Sequence, residues 1–165
     1  MNDNDFAALP VREMRMDLEG LYAEYTGALD EERFEDWAEF FTEDCFYQII
    51  PRENHDLGLP VATWRSESKA MLHDRVTSIR KTAVYAPRYL RRYVTGIRPR
   101  ARSDGTIAVR ANYLVVETLQ DELSRIFNAG YYLDEIVDVG SELKFARKVC
   151  VFDSLLVPNS LIYPL

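Results

Sequence analysis

The chain is poor in the residue types that build reactive centres. Among 165 residues it has only two histidines and two cysteines. Cys45 and Cys150 form neither a disulfide framework nor a zinc or iron–sulfur spacing, and there is no Cys-x-His or Cys-x-x-Cys pair. Both fall in predicted strands, where a buried free thiol is expected. A two-histidine, one-carboxylate iron site would need His55, His73 and an acid such as Asp56 or Asp74. His55 lies in a loop and His73 on a helix, so nothing in the sequence fixes that geometry. No Gly-rich phosphate loop and no Gly-x-Ser-x-Gly elbow is present.

Long apolar runs are also missing: none reaches the ~18–20 residues that span a bilayer. The opening MNDNDFAALP is acidic and polar and has no signal-peptide core. A cytoplasmic protein without a membrane segment is expected. Positive charge is scarce, with a formal net charge of −7 and a pI near 4.9, which argues against nucleic acid as a partner. The one dense basic stretch, Arg88 to Arg102 (RYLRRYVTGIRPRAR), spreads its arginines along a predicted strand. A solvated sheet face or a subunit interface follows from that spacing.

Apolar residues are plentiful at 47%, against 28% charged, so the chain can build a core. Its length suits one domain, expected over residues 11–165 after a flexible arm at 1–10. The centre of the pattern is Leu29 to Pro51, LDEERFEDWAEFFTEDCFYQIIP. Phe34, Trp37, Phe40 and Phe41 recur at helical spacing. Thr42, Glu43 and Asp44 break it as a turn, and Cys45 to Ile50 reads as a strand. Aromatics that large on a short helix require a deep apolar receptacle, which a curved sheet would supply. Upstream, Met14, Leu18, Leu21, Tyr22, Tyr25 and Leu29 define a helix from Val11 to Leu29, and Asp30 is placed to cap the next one.

After the turn-rich loop Pro51 to Pro60, Val61 to Trp64 suits a short strand. Ser66 suits the cap of a third helix reaching about Thr82. Arg75 within it is expected to meet a nearby acid in a buried salt bridge. Tyr89 to Arg100, Ile107 to Leu119, Arg125 to Val139 and Leu143 to Asp153 are β-rich. They are separated by the turns Ser103-Asp104-Gly105, Gln120-Asp121-Glu122 and Gly140-Ser141. Gly130 marks a bulge or bend. These elements give an α+β fold: a curled antiparallel sheet with the N-terminal helices packed in its concave face, forming a cone. A cone can house acid–base chemistry, with Tyr22, Tyr47, Tyr113, Tyr131 and Tyr132 as candidates. Stand-alone isomerase or dehydratase activity, or small-ligand binding, are the alternatives from the residues alone.

Three stretches carry a resemblance: YAEYTGALDEERFEDWAEFFTEDCFYQIIPREN, SKAMLHDRV, and FNAGYYLDEI with VCVFDSLLVPNSLIYPL. Together, over about Leu18 to Leu165, they resemble the small (β) subunits of aromatic-ring-hydroxylating Rieske non-haem-iron oxygenases. The likeness is to those of salicylate 5-hydroxylase and terephthalate dioxygenase type. The resemblance implies a nuclear-transport-factor-2-like cone and a non-catalytic role, with no catalytic, cofactor-binding or metal residue in this chain. It implies a large (α) oxygenase subunit as partner, holding a Rieske [2Fe–2S] cluster and a mononuclear iron. It also implies self-association as a trimer within an α3β3 hexamer. The arginine-rich strand and the apolar tail Leu155 to Leu165 then become the interface candidates, through Tyr89, Arg91, Arg92, Arg98, Arg100, Leu161, Ile162 and Tyr163.

Overall fold

The structure is a computed structural model that describes residues 11–154, 156 and 161–165. The expected arm at 1–10, and Leu155 and residues 157–160 of the tail, lie outside the described residues.

Helix α1 runs Val11–Asp30 and buries Leu18, Leu21, Tyr22, Tyr25, Ala28 and Leu29 along one stripe. Glu32 adopts a left-handed φ of 58°, turning the chain into the six-residue helix α2, Phe34–Glu39. Asp30 does not cap α2: it stays in α1, and its carboxylate accepts hydrogen bonds from the Arg92 backbone and side chain. Strand β1, Phe41–Pro51, starts four residues earlier than the sequence suggests. The Thr42-Glu43-Asp44 segment is an irregularity inside the strand rather than a turn before it, with the register shifting between Phe41 and Phe46. The loop that follows contains a short helix, α3, at Arg52–Asp56.

Strand β2 is Trp64–Ser66 and helix α4 is Lys69–Lys81. Ser66 pairs with Tyr47 in the sheet and its Oγ accepts a bond from Trp64 Nε1, so the cap falls to Ser68, whose Oγ accepts from Met71 N. Strands β3 (Arg88–Ala101), β4 (Ile107–Leu119), β5 (Arg125–Val139) and β6 (Glu142–Phe152) form the antiparallel meander. The β5–β6 turn needs positive φ at both Gly140 (63°) and Ser141 (76°), a type I′ pattern that matches strand twist.

Sheet order is β2-β1-β6-β5-β4-β3. β1 joins the meander by running parallel to β6. Among the described residues this is the one departure from antiparallel pairing, and the crossover through the later elements makes it possible. Gly130 is not at a bulge; the register shift lies nearby, between Val115 and Val116. A side chain at Gly130 would place its Cβ 1.9 Å from the Val151 carbonyl oxygen, so the glycine permits close approach of β6. Helices α1, α2 and α4 line the inner face, giving the α+β cone.

Candidate functional site

The cone interior is filled. Tyr25 packs edge-on against Phe40, Phe41 and Phe145, and Trp37 packs edge-on against Phe41 and Tyr47. The tail closes the remaining space. Leu161, Tyr163 and Leu165 are buried, and Tyr163 stands 4.8 Å ring to ring from Phe34. Tyr25 donates its hydroxyl to the Leu165 backbone oxygen at 2.6 Å, and Leu165 N donates to the Tyr47 hydroxyl at 2.9 Å. Arg92 donates to the Pro164 oxygen at 2.6 Å and ion-pairs with Asp30 at 2.6 Å. Among the described residues Arg75 meets no acid. Its guanidinium donates to the Leu161 and Ile162 carbonyls and lies 4.4 Å over the Trp64 ring, so the tail's backbone takes the place of the expected carboxylate.

Beneath this lies a polar network that sequence reasoning missed. Asp134 and Lys148 face each other across β5 and β6, both fully buried, with Nζ to Oδ2 at 2.9 Å. Tyr22 donates to the same oxygen at 2.5 Å. The Lys148 ammonium sits 3.5 Å from the centre of the Tyr132 ring, with Tyr22, Tyr25 and Phe145 around it. Burial pushes the Asp134 carboxyl above its ordinary range while Lys148 pulls it down. Burial also holds the Tyr22, Tyr25, Tyr47 and Tyr132 hydroxyls well above their ordinary value, chiefly by desolvation. Such phenols are poor bases near neutral pH. Four of the five candidate tyrosines thus lie inside the filled cone, including Tyr113, which donates to Asn128 at 2.6 Å. Tyr131 points to the outer face. A second charge cluster joins the buried Glu117 to the buried Arg88 side chain and to Arg125, which is exposed.

The metal-ligand types are dispersed. Burial raises the thiols of Cys45 to about 11 and Cys150 to about 12, which keeps them protonated. His55 bonds Asp56 at 3.2 Å beside Tyr131, whereas His73 faces Glu39 at 3.3 Å on the helical side. Among the described residues no three His, Cys, Asp or Glu side chains are grouped to hold a metal. Among the described residues, the donors present form no ligand set that fits a Rieske cluster or a mononuclear iron.

The interface candidates divide by exposure. Arg92, Leu161 and Tyr163 are buried within this chain, and Ile162 is half-buried, so the chain's own core claims residues 161–165 of the tail, whereas Leu156 is exposed. Tyr89, Arg91, Arg98 and Arg100 are exposed on the edge strand β3. They share the outer face with Arg110, whose guanidinium lies 4.0 Å over Tyr131, and Arg147, 4.3 Å over Phe46. On the helical side, a cleft of about 1130 Å³ opens between α1 and the β3–β4 and β5–β6 turns. Among the described residues no helix is long and apolar enough to cross a membrane.

A family model described as ring hydroxylating beta subunit matches residues 26–159. The anthranilate 1,2-dioxygenase small subunit of Burkholderia cepacia is 39% identical over 141 residues, covering 86% of this chain and 88% of that one. A terephthalate 1,2-dioxygenase terminal oxygenase β subunit (beta 2) from Comamonas sp is 28% identical over 87% of this chain and 93% of its own length. Among solved structures, a chain described as the β subunit of an aromatic-ring-hydroxylating dioxygenase from Novosphingobium aromaticivorans DSM 12444 superposes with a TM-score of 0.84. It is 31% identical and covers 93% of this chain and 97% of that one.

Proposed function

This chain belongs to the ring-hydroxylating β-subunit family, and from that premise we propose that it is the non-catalytic subunit of a multicomponent oxygenase acting on a small aromatic acid. The observation that carries the non-catalytic reading is the filled cone. Where a cone-fold enzyme would hold substrate, Trp37, Tyr25, Tyr132, Phe145 and the segment Leu161–Leu165 occupy the space. Many of the polar groups inside are turned on one another, Tyr22 and Lys148 on Asp134, and Tyr25 and Tyr47 on Leu165, while Trp37 Nε1, the Tyr132 hydroxyl and Asp134 Oδ1 have no partner among the described residues. A stand-alone isomerase or dehydratase, or an internal ligand-binding role, needs an open pocket at that place.

The partner in this reading is a large oxygenase subunit. It would hold the Rieske [2Fe–2S] cluster and the mononuclear iron, because this chain's two thiols are buried and protonated and its two imidazoles lie apart. The assembly is α3β3 with the small subunits as a trimer, in the cytoplasm, where free thiols such as Cys45 and Cys150 persist. The aromatic-acid substrate class is suggested by the anthranilate and terephthalate named for its relatives. The test is co-expression with a Rieske-type large subunit encoded beside it, followed by affinity capture of this chain. A stable complex containing iron and sulfide is expected. Failure to capture any such partner, with turnover of an aromatic acid by this chain alone, would overturn the reading.

A further inference from the structure

Residues 161–165 enter the cone without joining its secondary structure. Among the described residues they belong to no helix or strand and make no backbone–backbone hydrogen bond. Side chains from four separate elements reach their backbone instead. Arg75 of α4 donates to the carbonyls of Leu161 at 2.7 Å and Ile162 at 3.1 Å. Arg92 of β3 donates to that of Pro164 at 2.6 Å. Tyr25 of α1 donates to the Leu165 oxygen, and the hydroxyl of Tyr47 on β1 accepts from Leu165 N. Buried backbone is ordinarily tied through helix or sheet ladders. A backbone gripped at its carbonyls by arginines and phenols is held the way a protein holds a peptide ligand.

The side chains of the segment are matched as well. Leu161, Tyr163 and Leu165 are buried, and Tyr163 packs on Phe34 at 4.8 Å and Tyr85 at 5.2 Å, with its hydroxyl on Glu32 at 3.3 Å. The walls hold donors that the segment does not use. Nε of Arg75, Nε of Arg92 and Nε1 of Trp37 are buried without a partner among the described residues. Unpaired buried donors are uncommon in a packed interior, and two of these three belong to the guanidinium groups that grip the segment. We propose that the cone interior is a peptide-binding site, filled in cis by residues 161–165, that takes a short apolar peptide carrying an aromatic residue and free carbonyls. The segment is an exchangeable ligand on a fold that stands without it, and it opens at a lower free energy than the sheet.

The test uses the full chain throughout. In the native chain, hydrogen exchange should release the Leu165 amide well before the amides of β5 and β6. Tyr163→Ser with Leu165→Ser should then empty the site and leave a folded chain by circular dichroism. The probe is a fluorescent LIYPL peptide with both ends blocked, followed by anisotropy. The double variant should bind it at least about tenfold more tightly than the native chain, whose tethered segment competes at high effective concentration. Saturating peptide should raise the melting temperature of the variant. A peptide with Ser in place of Tyr, or a scrambled one, should bind poorly. Exchange of the Leu165 amide only through global unfolding would overturn the proposal, and so would a double variant that does not fold, because the segment would then be core. A folded variant that ignores the peptide, binds it no better than the native chain, or accepts the scrambled sequence equally would overturn it too.

Discussion

At the scale of single residues, the least replaceable side chains are charged ones inside the cone. Lys148 and Asp134 are fully buried, and each is tolerable only because the other is 2.9 Å away, with Tyr22 completing the set. An unpaired buried charge costs far more than a buried pair gains. Lys148→Met should therefore lower unfolding free energy by about 3–5 kcal/mol, measured by urea denaturation. Adding Asp134→Leu should recover most of that loss, because no orphaned carboxylate then remains. A single variant as stable as native would show that the pair is not needed. The pair was readable in part. Asp134 follows Tyr132 by two and Lys148 precedes Cys150 by two, so strand alternation puts both on the inner face. That they stand opposite one another depends on the register set by the Gly140-Ser141 turn.

At the scale of elements, the short helix α2 is fixed from outside as well as from below. Arg80 of α4 forms a bidentate bond with Glu35 of α2 and holds that carboxyl down to about 2. Lys69, at the start of α4, bonds Glu39 at 2.5 Å and lowers its carboxyl too. A depressed carboxyl stabilises the fold above its ordinary range and loses that contribution as the pH falls through the folded-state value. The window here lies between the ordinary 4.5 and about 2. Glu35 and Glu39 are each more than half exposed, so solvent and salt screen the effect and keep it small. Melting temperature followed by circular dichroism should fall across that window. In Arg80→Ala the slope should be shallower, and high salt should narrow the difference. An Arg80→Ala profile parallel to native would exclude the α2–α4 bond as a contributor. Neither bond follows from the sequence, because α2 and α4 are separated by β1, α3 and β2.

At the scale of the whole molecule, the fold spends its interior on packing. Trp37 is fully buried against Phe41, Tyr47 and Trp64. Trp37→Ala should cost roughly 3–5 kcal/mol of stability and should lower oxygenase activity only as far as it loosens the assembly. Assembled and fully stable Trp37→Ala complex without activity would contradict a scaffold role. The same view explains why the tail was hard to place. Leu161 and Tyr163 are apolar enough for an interface or a core, and composition does not separate the two uses. In the structure, Arg75 and Arg92 anchor the tail's backbone oxygens and turn it inward.

The sequence by itself determined the helices α1, α2 and α4, the four-stranded meander and the aromatic character of α2, but not the short helix α3. These rest on periodicity, turn chemistry and residue inventory, all local properties. Tertiary structure alone decided that β1 lies parallel to β6, that Phe41 belongs to a strand, and that Asp30 serves Arg92 instead of a helix cap. It alone decided that Arg92 and residues 161–165 fill the cone while Arg98, Arg100, Arg110 and Arg147 stay outside. Each of those outcomes depends on which distant groups meet, and that is fixed by register and curvature rather than by any residue's own preference.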